Sequence, residues 1–264
     1  WAKTSQPITK NRIRKIILTK NKLYFASDFH LGAPNLAESH KRERLIITWL
    51  DKIKGDAKAI YLVGDIFDFW FEYKKVVPKG FVRLLGKLAE LVDSGTKIHL
   101  FVGNHDLWMK DYLTSEIGIT IHQRNIVIEE SNKKLFIGHG DGLGEGDYLY
   151  KLLRRCFTSK ICQWVFARLH PNLALSIAHT WSRSSRKSGE EAQFISNEKE
   201  ILFGYCQEQQ ALNPVDYYVF GHRHLPLELK VDERASYVNL GEWISYNSYA
   251  VFDNGKVELK TYKK

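Results

Sequence analysis

The chain has 264 residues, 44% hydrophobic, 26% charged and 13% aromatic, with 18 glycines and 6 prolines; such a composition excludes disordered, collagen-like and low-complexity classes. No run of about 18 uncharged apolar residues occurs, and the opening WAKTSQPITKNRIRK lacks the apolar stretch of a secretory signal, so a cytoplasmic chain without a spanning helix is expected. Lys and Arg total 39 against 30 Asp and Glu, a net charge of +9 that suits a polyanionic partner: nucleic acid, a phosphorylated substrate or an acidic membrane surface.

Residues 1–21 form a basic tail with no acid between Lys3 and Lys22, either a phosphate-seeking arm or a solvated extension, and residues 22–264 form the folded domain. Lys22 to Ser27 is a strand that runs into Asp28-Phe-His-Leu-Gly. From Glu38 to Lys54, Leu45, Ile46, Trp49, Leu50 and Ile53 recur at three- and four-residue spacing and predict a helix with one buried stripe. Ala59–Val63 is a strand, Phe81 to Val92 a helix closed by Ser94-Gly95, and Lys97–Val102 a strand. This alternation predicts parallel pairing with right-handed crossovers, a topology that gathers reactive groups beyond the carboxyl ends of the strands.

Further strands are expected at Ile126–Ile128 and Lys134–Gly138, followed from about 148 to 209 by a helical insertion rich in Leu, Trp, Phe, Arg and Lys. Strands return at Asp216–Phe220, Leu225–Val231, Ser236–Leu240, Tyr249–Phe252 and Lys256–Lys260, the last two joined by the hairpin signal Asp253-Asn254-Gly255. Cys156, Cys162 and Cys206 make no CxxC pair, so no disulfide framework is expected and the three read as packing residues.

Five fragments follow apolar strands: Asp28-Phe-His30, Gly64-Asp65-Ile-Phe-Asp68, Gly103-Asn-His-Asp106, Gly138-His-Gly-Asp141 and Gly221-His-Arg-His224. If the segments are extended, Asp28 and His30 share a face, as do His222 and His224. Carboxylate, imidazole and amide oxygen hold divalent first-row metals, and the pooled ends supply more ligands than one ion needs. Two ions are expected, with Asp65 bridging them through its two oxygens, polarising a phosphoryl group and lowering the pKa of a shared water. Glycine before each ligand suits a sharp turn and a close approach. His40, His99, His122, His170 and His179 lack such neighbours and read as surface or packing residues.

In this order the five fragments resemble the pattern of calcineurin-like metallophosphoesterases, from Leu23 to about Leu240. The resemblance implies a four-layer αββα sandwich of mixed α/β sheets with a helical cap at about 148–209. It also implies two divalent metal ions, manganese by family habit, one held by Asp28, His30, Asp65 and His224 and the other by Asp65, Asn104, His139 and His222. Within the superfamily the chain is similar to the UDP-2,3-diacylglucosamine pyrophosphatases of lipid A synthesis, through Asp28 to Gly32, Gly64-Asp-Ile-Phe-Asp-Phe-Trp70, His139-Gly-Asp141 with Asp147 and Tyr148 soon after, and the basic insertion. Those enzymes release UMP and the diacylated sugar 1-phosphate from a lipid-linked nucleotide sugar. Their best-known branch has arginine after the metal-binding asparagine, where this chain has His105.

The resemblance implies catalysis by Asp65 and His105, with Asp68 or Asp106 orienting the His105 imidazole, and substrate contacts from Asn104, His105, Asp147, Arg183, Arg186, Lys187 and His222. By itself the insertion reads as an amphipathic subdomain with a solvated basic face; with the resemblance it becomes a cap for acyl chains that rests peripherally on the anionic cytoplasmic face of the inner membrane. Alternatives are a soluble, generic phosphodiesterase or nucleotidase with the same metal site, a nuclease and, of another class, a non-catalytic binding module. No recognised nucleic-acid module appears, so no nucleic-acid partner is expected, and oligomeric state is left open.

Overall fold

A computed structural model describes residues 20–144, 148–189, 196 and 200–263; the side chains at 149, 150, 179, 181 and 183–189 also lie outside the described set. The basic tail therefore falls outside it except for Lys20 and Asn21. Two stacked sheets form the centre. The first has the order β11-β10-β1-β2-β3-β4, from β1 (Lys22–Ala26), β2 (Ala57–Val63), β3 (Lys97–Phe101), β4 (Thr120–His122), β10 (Ser248–Asp253) and β11 (Lys256–Thr261). The second runs β5-β6-β7-β9-β8, from β5 (Ile126–Glu130), β6 (Lys133–Ile137), β7 (Tyr217–Phe220), β8 (Pro226–Lys230) and β9 (Ser236–Leu240). As expected, β1 to β3 are parallel; β4 adds a further parallel strand at the edge, and β10 and β11 add antiparallel strands. In the second sheet β6, β7 and β9 are parallel, flanked by antiparallel β5 and β8.

Alternation along the strands builds the layers. Phe25, Tyr61, Val63 and Phe101 of the first sheet meet Leu135, Ile137, Val219 and Val238 of the second. The opposite face of the first sheet packs on α1 (Leu36–Ile53) and α2 (Val82–Asp93) through Ile46, Trp49, Leu84 and Leu88. The opposite face of the second packs on α7 (Ile201–Leu212) through Leu202, Phe203 and Cys206. This is the four-layer αββα arrangement.

Helix α1 begins two residues before the predicted Glu38 because Asn35 caps it, its side chain accepting the Glu38 N–H at 3.0 Å. Helix α2 has no local side-chain cap; Glu43 of α1 accepts the Arg83 and Leu84 N–H groups, both at 3.1 Å. The expected hairpin places Asn254 (φ 49°) and Gly255 (φ 81°) between paired Asp253 and Lys256, as a two-residue primed turn requires. Two short elements escaped the sequence reading, α3 (Tyr112–Ile117) and the edge strand β4, because six- and three-residue segments are too short to show a period.

Between β6 and β7 the chain forms α4 (Tyr148–Thr158), α5 (Lys160–Phe166), α6 (Pro171–Gly189) and then α7. Phe166 seats this group in an aromatic socket, with ring centroids 4.8 Å from Phe71 and 4.7 Å from Trp108. Of the cysteines only Cys206 packs; Cys156 and Cys162 are exposed, which corrects the expectation for those two. Among the described residues no helix is long and apolar enough to cross a membrane.

Candidate metal centre

The five fragments sit just beyond the carboxyl ends of β1, β2, β3, β6 and β7. Their side chains do not converge by strand alternation, as the sequence suggested. Asp28, His30, Asp65, His222 and His224 all have left-handed backbone, with φ between 42° and 68°. Non-glycine residues pay for that conformation, and here it is held by neighbouring loops: His30 N–H donates to Asp65 O at 2.9 Å, and His222 N–H to Asp28 Oδ2 at 3.0 Å.

Two groupings result. In the first, His224 Nε2 lies 3.2 Å from Asp28 Oδ1 and 3.0 Å from His30 Nε2, and one ligand atom from each of Asp28, His30, Asp65 and His224 falls within 4.8 Å of the others. In the second, Asn104 Oδ1 lies 3.2 Å from His139 Nε2 and 3.0 Å from His222 Nδ1, and His139 Nε2 lies 3.3 Å from Asp65 Oδ2. Asp65 Oδ2 is also 3.9 Å from His30 Nε2, whereas Asp65 Oδ1 accepts the His105 N–H at 2.8 Å. Asp65 thus stands between the two groupings, with Oδ2 toward His30 and His139 and Oδ1 also holding backbone.

These donors suit divalent cations. Asp28 Oδ1 is buried and makes no well-aligned hydrogen bond although His224 Nε2 lies 3.2 Å away, and two imidazole nitrogens 3.0 Å apart can satisfy each other only if one of them carries hydrogen. A cation satisfies all of them at once. His139 Nδ1 lies 2.9 Å from Val63 O; a carbonyl only accepts, so Nδ1 carries hydrogen and Nε2 keeps the lone pair a metal needs.

The charges point the same way. Burial would raise the carboxyls of Asp28 and Asp65, yet the surrounding imidazoles bring both below the ordinary range. Burial lowers His30 and His222 to about 4. His139 and His224 rise despite burial, His139 chiefly through Asp65 and His224 through Asp28. Paired charges of this kind mark sites that exchange protons for a metal.

Of the two carboxylates considered for orienting His105, Asp68 is the one beside it. His105 Nδ1 lies 3.2 Å from Asp68 O and 3.0 Å from Ser182 Oγ, and Ser182 donates to Asp68 Oδ1 at 2.8 Å. Asp106 instead braces backbone, accepting from Gly103 N–H at 2.7 Å and Ile66 N–H at 2.8 Å. Burial and the Asp65 charge push its carboxyl up to about 7. The glycines serve close approach more than turning. Among those preceding ligands only Gly64 has positive φ, and a Cβ there would lie 2.5 Å from His139 Nδ1, while one at Gly221 would lie 2.6 Å from Asp28 Oδ2.

Asp147 lies outside the described residues, as do the side chains of Arg183, Arg186 and Lys187, although their backbone continues α6 beyond Ser182. Ser182, Glu200 and Arg223 were missed by sequence reasoning. Arg223 alone carried a signal, its place between two candidate ligands. The helices of the insertion also expose large apolar groups: Ile161 is 75% exposed, Trp164 59% and Leu152 59%. Arg168 stacks over Trp164 at 4.6 Å.

A relative from Porphyromonas gingivalis named UDP-2,3-diacylglucosamine hydrolase is 41% identical over 256 residues, covering 92% of this chain and 98% of its own length. A Pseudomonas aeruginosa protein of the same name is 29% identical, covering 83% of this chain and 90% of its own. Among solved structures, Yfce, a phosphoesterase from E. coli, superposes with a TM-score of 0.42 at 16% identity, covering 88% of both chains. Residues 22–226 match the calcineurin-like phosphoesterase family, and with a 41% identical relative aligned almost end to end, the chain belongs to that family.

Proposed function

We propose that this hydrolase cleaves the pyrophosphate of UDP-2,3-diacylglucosamine to UMP and 2,3-diacylglucosamine 1-phosphate in lipid A synthesis. The observation that carries the reading is the near full-length similarity to the Porphyromonas gingivalis hydrolase, and the two groupings that share Asp65 Oδ2 supply fitting chemistry. Asp28, His30, Asp65 and His224 would hold one divalent ion, and Asp65, Asn104, His139 and His222 the other, with manganese the ion proposed. Bound there, such ions supply Lewis acidity to the phosphoryl oxygens and make water nucleophilic near neutral pH.

The chain's own residues do the rest. Asp65 Oδ1 anchors the His105 backbone, tying the shared carboxylate to the catalytic imidazole. His105 Nδ1 faces a carbonyl that can only accept, so Nδ1 carries hydrogen, and Nε2 is the atom assigned to exchange a proton with the leaving oxygen. Substrate contacts are assigned to Asn104, His105 and His222, to Asp147, and to the cationic run Arg183, Arg186 and Lys187. The exposed apolar groups of α4 to α6, interleaved with Arg155, Lys160 and Arg168, suit acyl chains and an anionic membrane surface, which supports a peripheral place on the cytoplasmic face.

The test is product analysis with metal-loaded protein. UMP and the sugar 1-phosphate are expected from the lipid substrate in preference to products from aryl diesters or nucleotides. Equal turnover of those simple substrates would favour a general phosphodiesterase, and absence of UMP would remove the reading.

A further inference from the structure

Gly221-His-Arg-His224 is a strained turn. His222 and His224 have φ of 68° and 53°, and Arg223 N–H closes back on Gly221 O at 2.8 Å. Such a backbone persists only where surrounding contacts over-determine it. Arg223 supplies one of them: its Nε donates to both oxygens of Glu200, at 3.0 and 3.1 Å.

Glu200 is 3% exposed and stands at the N-cap of α7, where the insertion returns to the second sheet. It reaches the same turn by a second route. Tyr237 OH donates to Glu200 Oε1 at 3.5 Å, and Asn239 Nδ2 donates to Tyr237 OH at 3.1 Å and to Gly221 O at 2.6 Å. One buried carboxylate thus reaches the turn that carries two imidazoles at two points, directly at Arg223 and through Tyr237 and Asn239 at Gly221. The next residues of α7 lie against the loop that carries His139: a Cβ at Gly140 would meet Leu202 Cδ1 at 2.9 Å, and one at Gly144 would meet Ile201 Cγ2 at 2.6 Å.

We infer that Glu200, acting through Arg223, is a positioning residue that sets the imidazoles of His222 and His224 and thereby how tightly the divalent pair is held. The inference rests on the metal reading above and extends it to a residue of the insertion. Because a ligand misplaced by a fraction of an ångström binds poorly, the partners that orient ligands commonly govern affinity 10- to 100-fold.

The test compares the full chain with Glu200→Gln and Arg223→Met, titrating Mn²⁺ by calorimetry, counting retained ions by elemental analysis and recording the manganese paramagnetic resonance spectrum. Both variants are expected to unfold cooperatively, to bind at least one ion about 10- to 100-fold more weakly, and to lose the spin-coupled signal of a close pair. The double variant should be no worse than Glu200→Gln alone, since the Arg223 link is already lost with Glu200. Wild-type affinity and spectrum in folded variants would overturn the inference while leaving the metal reading intact. Loss of cooperative unfolding in both variants would also overturn it, because the pair would then serve the fold and not the ligands. A wild-type chain that binds no Mn²⁺ would remove the metal reading and this inference together.

Discussion

Ser182 donates its hydroxyl to Asp68 Oδ1 at 2.8 Å across 114 positions of sequence, and its oxygen lies 3.0 Å from His105 Nδ1. A helix of the insertion thus completes the surroundings of the imidazole assigned to proton transfer. Ser182→Ala is expected to lower kcat about tenfold, within the range seen when an orienting partner is removed, with KM and thermal midpoint changed little. Ser182→Thr should restore most of the rate. A steady-state comparison of the three proteins checks this, and an unchanged kcat in Ser182→Ala would refute it.

Asp65 offers Oδ2 to both groupings and Oδ1 to a backbone N–H. Asn in its place retains the shape and loses the charge between the two groupings. Asp65→Asn is expected to retain fewer divalent ions after desalting and to lose at least about 10²-fold in kcat, as removal of one key electrostatic group does. Elemental analysis beside turnover measurements decides it.

Glycines here divide into two kinds with opposite expected outcomes. A Cβ at Gly221 would lie 2.6 Å from Asp28 Oδ2 and 2.7 Å from Ser27 Oγ, so Gly221→Ala should destabilise by about 1–3 kcal/mol through overpacking and weaken metal retention. Gly86 lies mid-helix in α2 with nothing within 4 Å of its Cβ position. Gly86→Ala should therefore stabilise by about 0.5–1 kcal/mol. Denaturant unfolding of the two variants tests both signs.

His99 of β3 stacks on Tyr61 with centroids 4.7 Å apart, and its Nδ1 lies 3.0 Å from His122 Nε2. Burial first, then the His122 and Lys97 charges, lower it from 6.5 to about 4. Protonation therefore favours the unfolded chain: this contribution is complete above about pH 6.5 and is lost as pH falls toward 4. Allowing for solvent on its open side, about 1 kcal/mol should disappear over that window. Unfolding free energies at stepped pH should fall less steeply for His99→Phe than for the wild type; parallel slopes would contradict the assignment.

Much of this molecule is written in local patterns. The stripe of Ile46, Trp49 and Leu50 announced α1, the apolar runs announced the central strands, and Asn254-Gly255 announced the hairpin, because burial periodicity and turn preference act within a few residues. The ligand types and their order along the chain were equally legible, since coordination chemistry restricts which side chains can serve. Tertiary structure alone decided how they meet. Left-handed backbone at Asp28, His30, His222 and His224, not strand alternation, aims the ligands, and Asp65 sets Oδ2 beside His139 while its Oδ1 holds the His105 N–H. It also decided that Asp68 stands at His105 while Asp106 braces backbone, and that Ser182 and Glu200 return from the insertion to steady the site. The physical reason is that a hydrogen bond depends on distance and angle between groups many residues apart, and no local pattern records where the chain will bring them together.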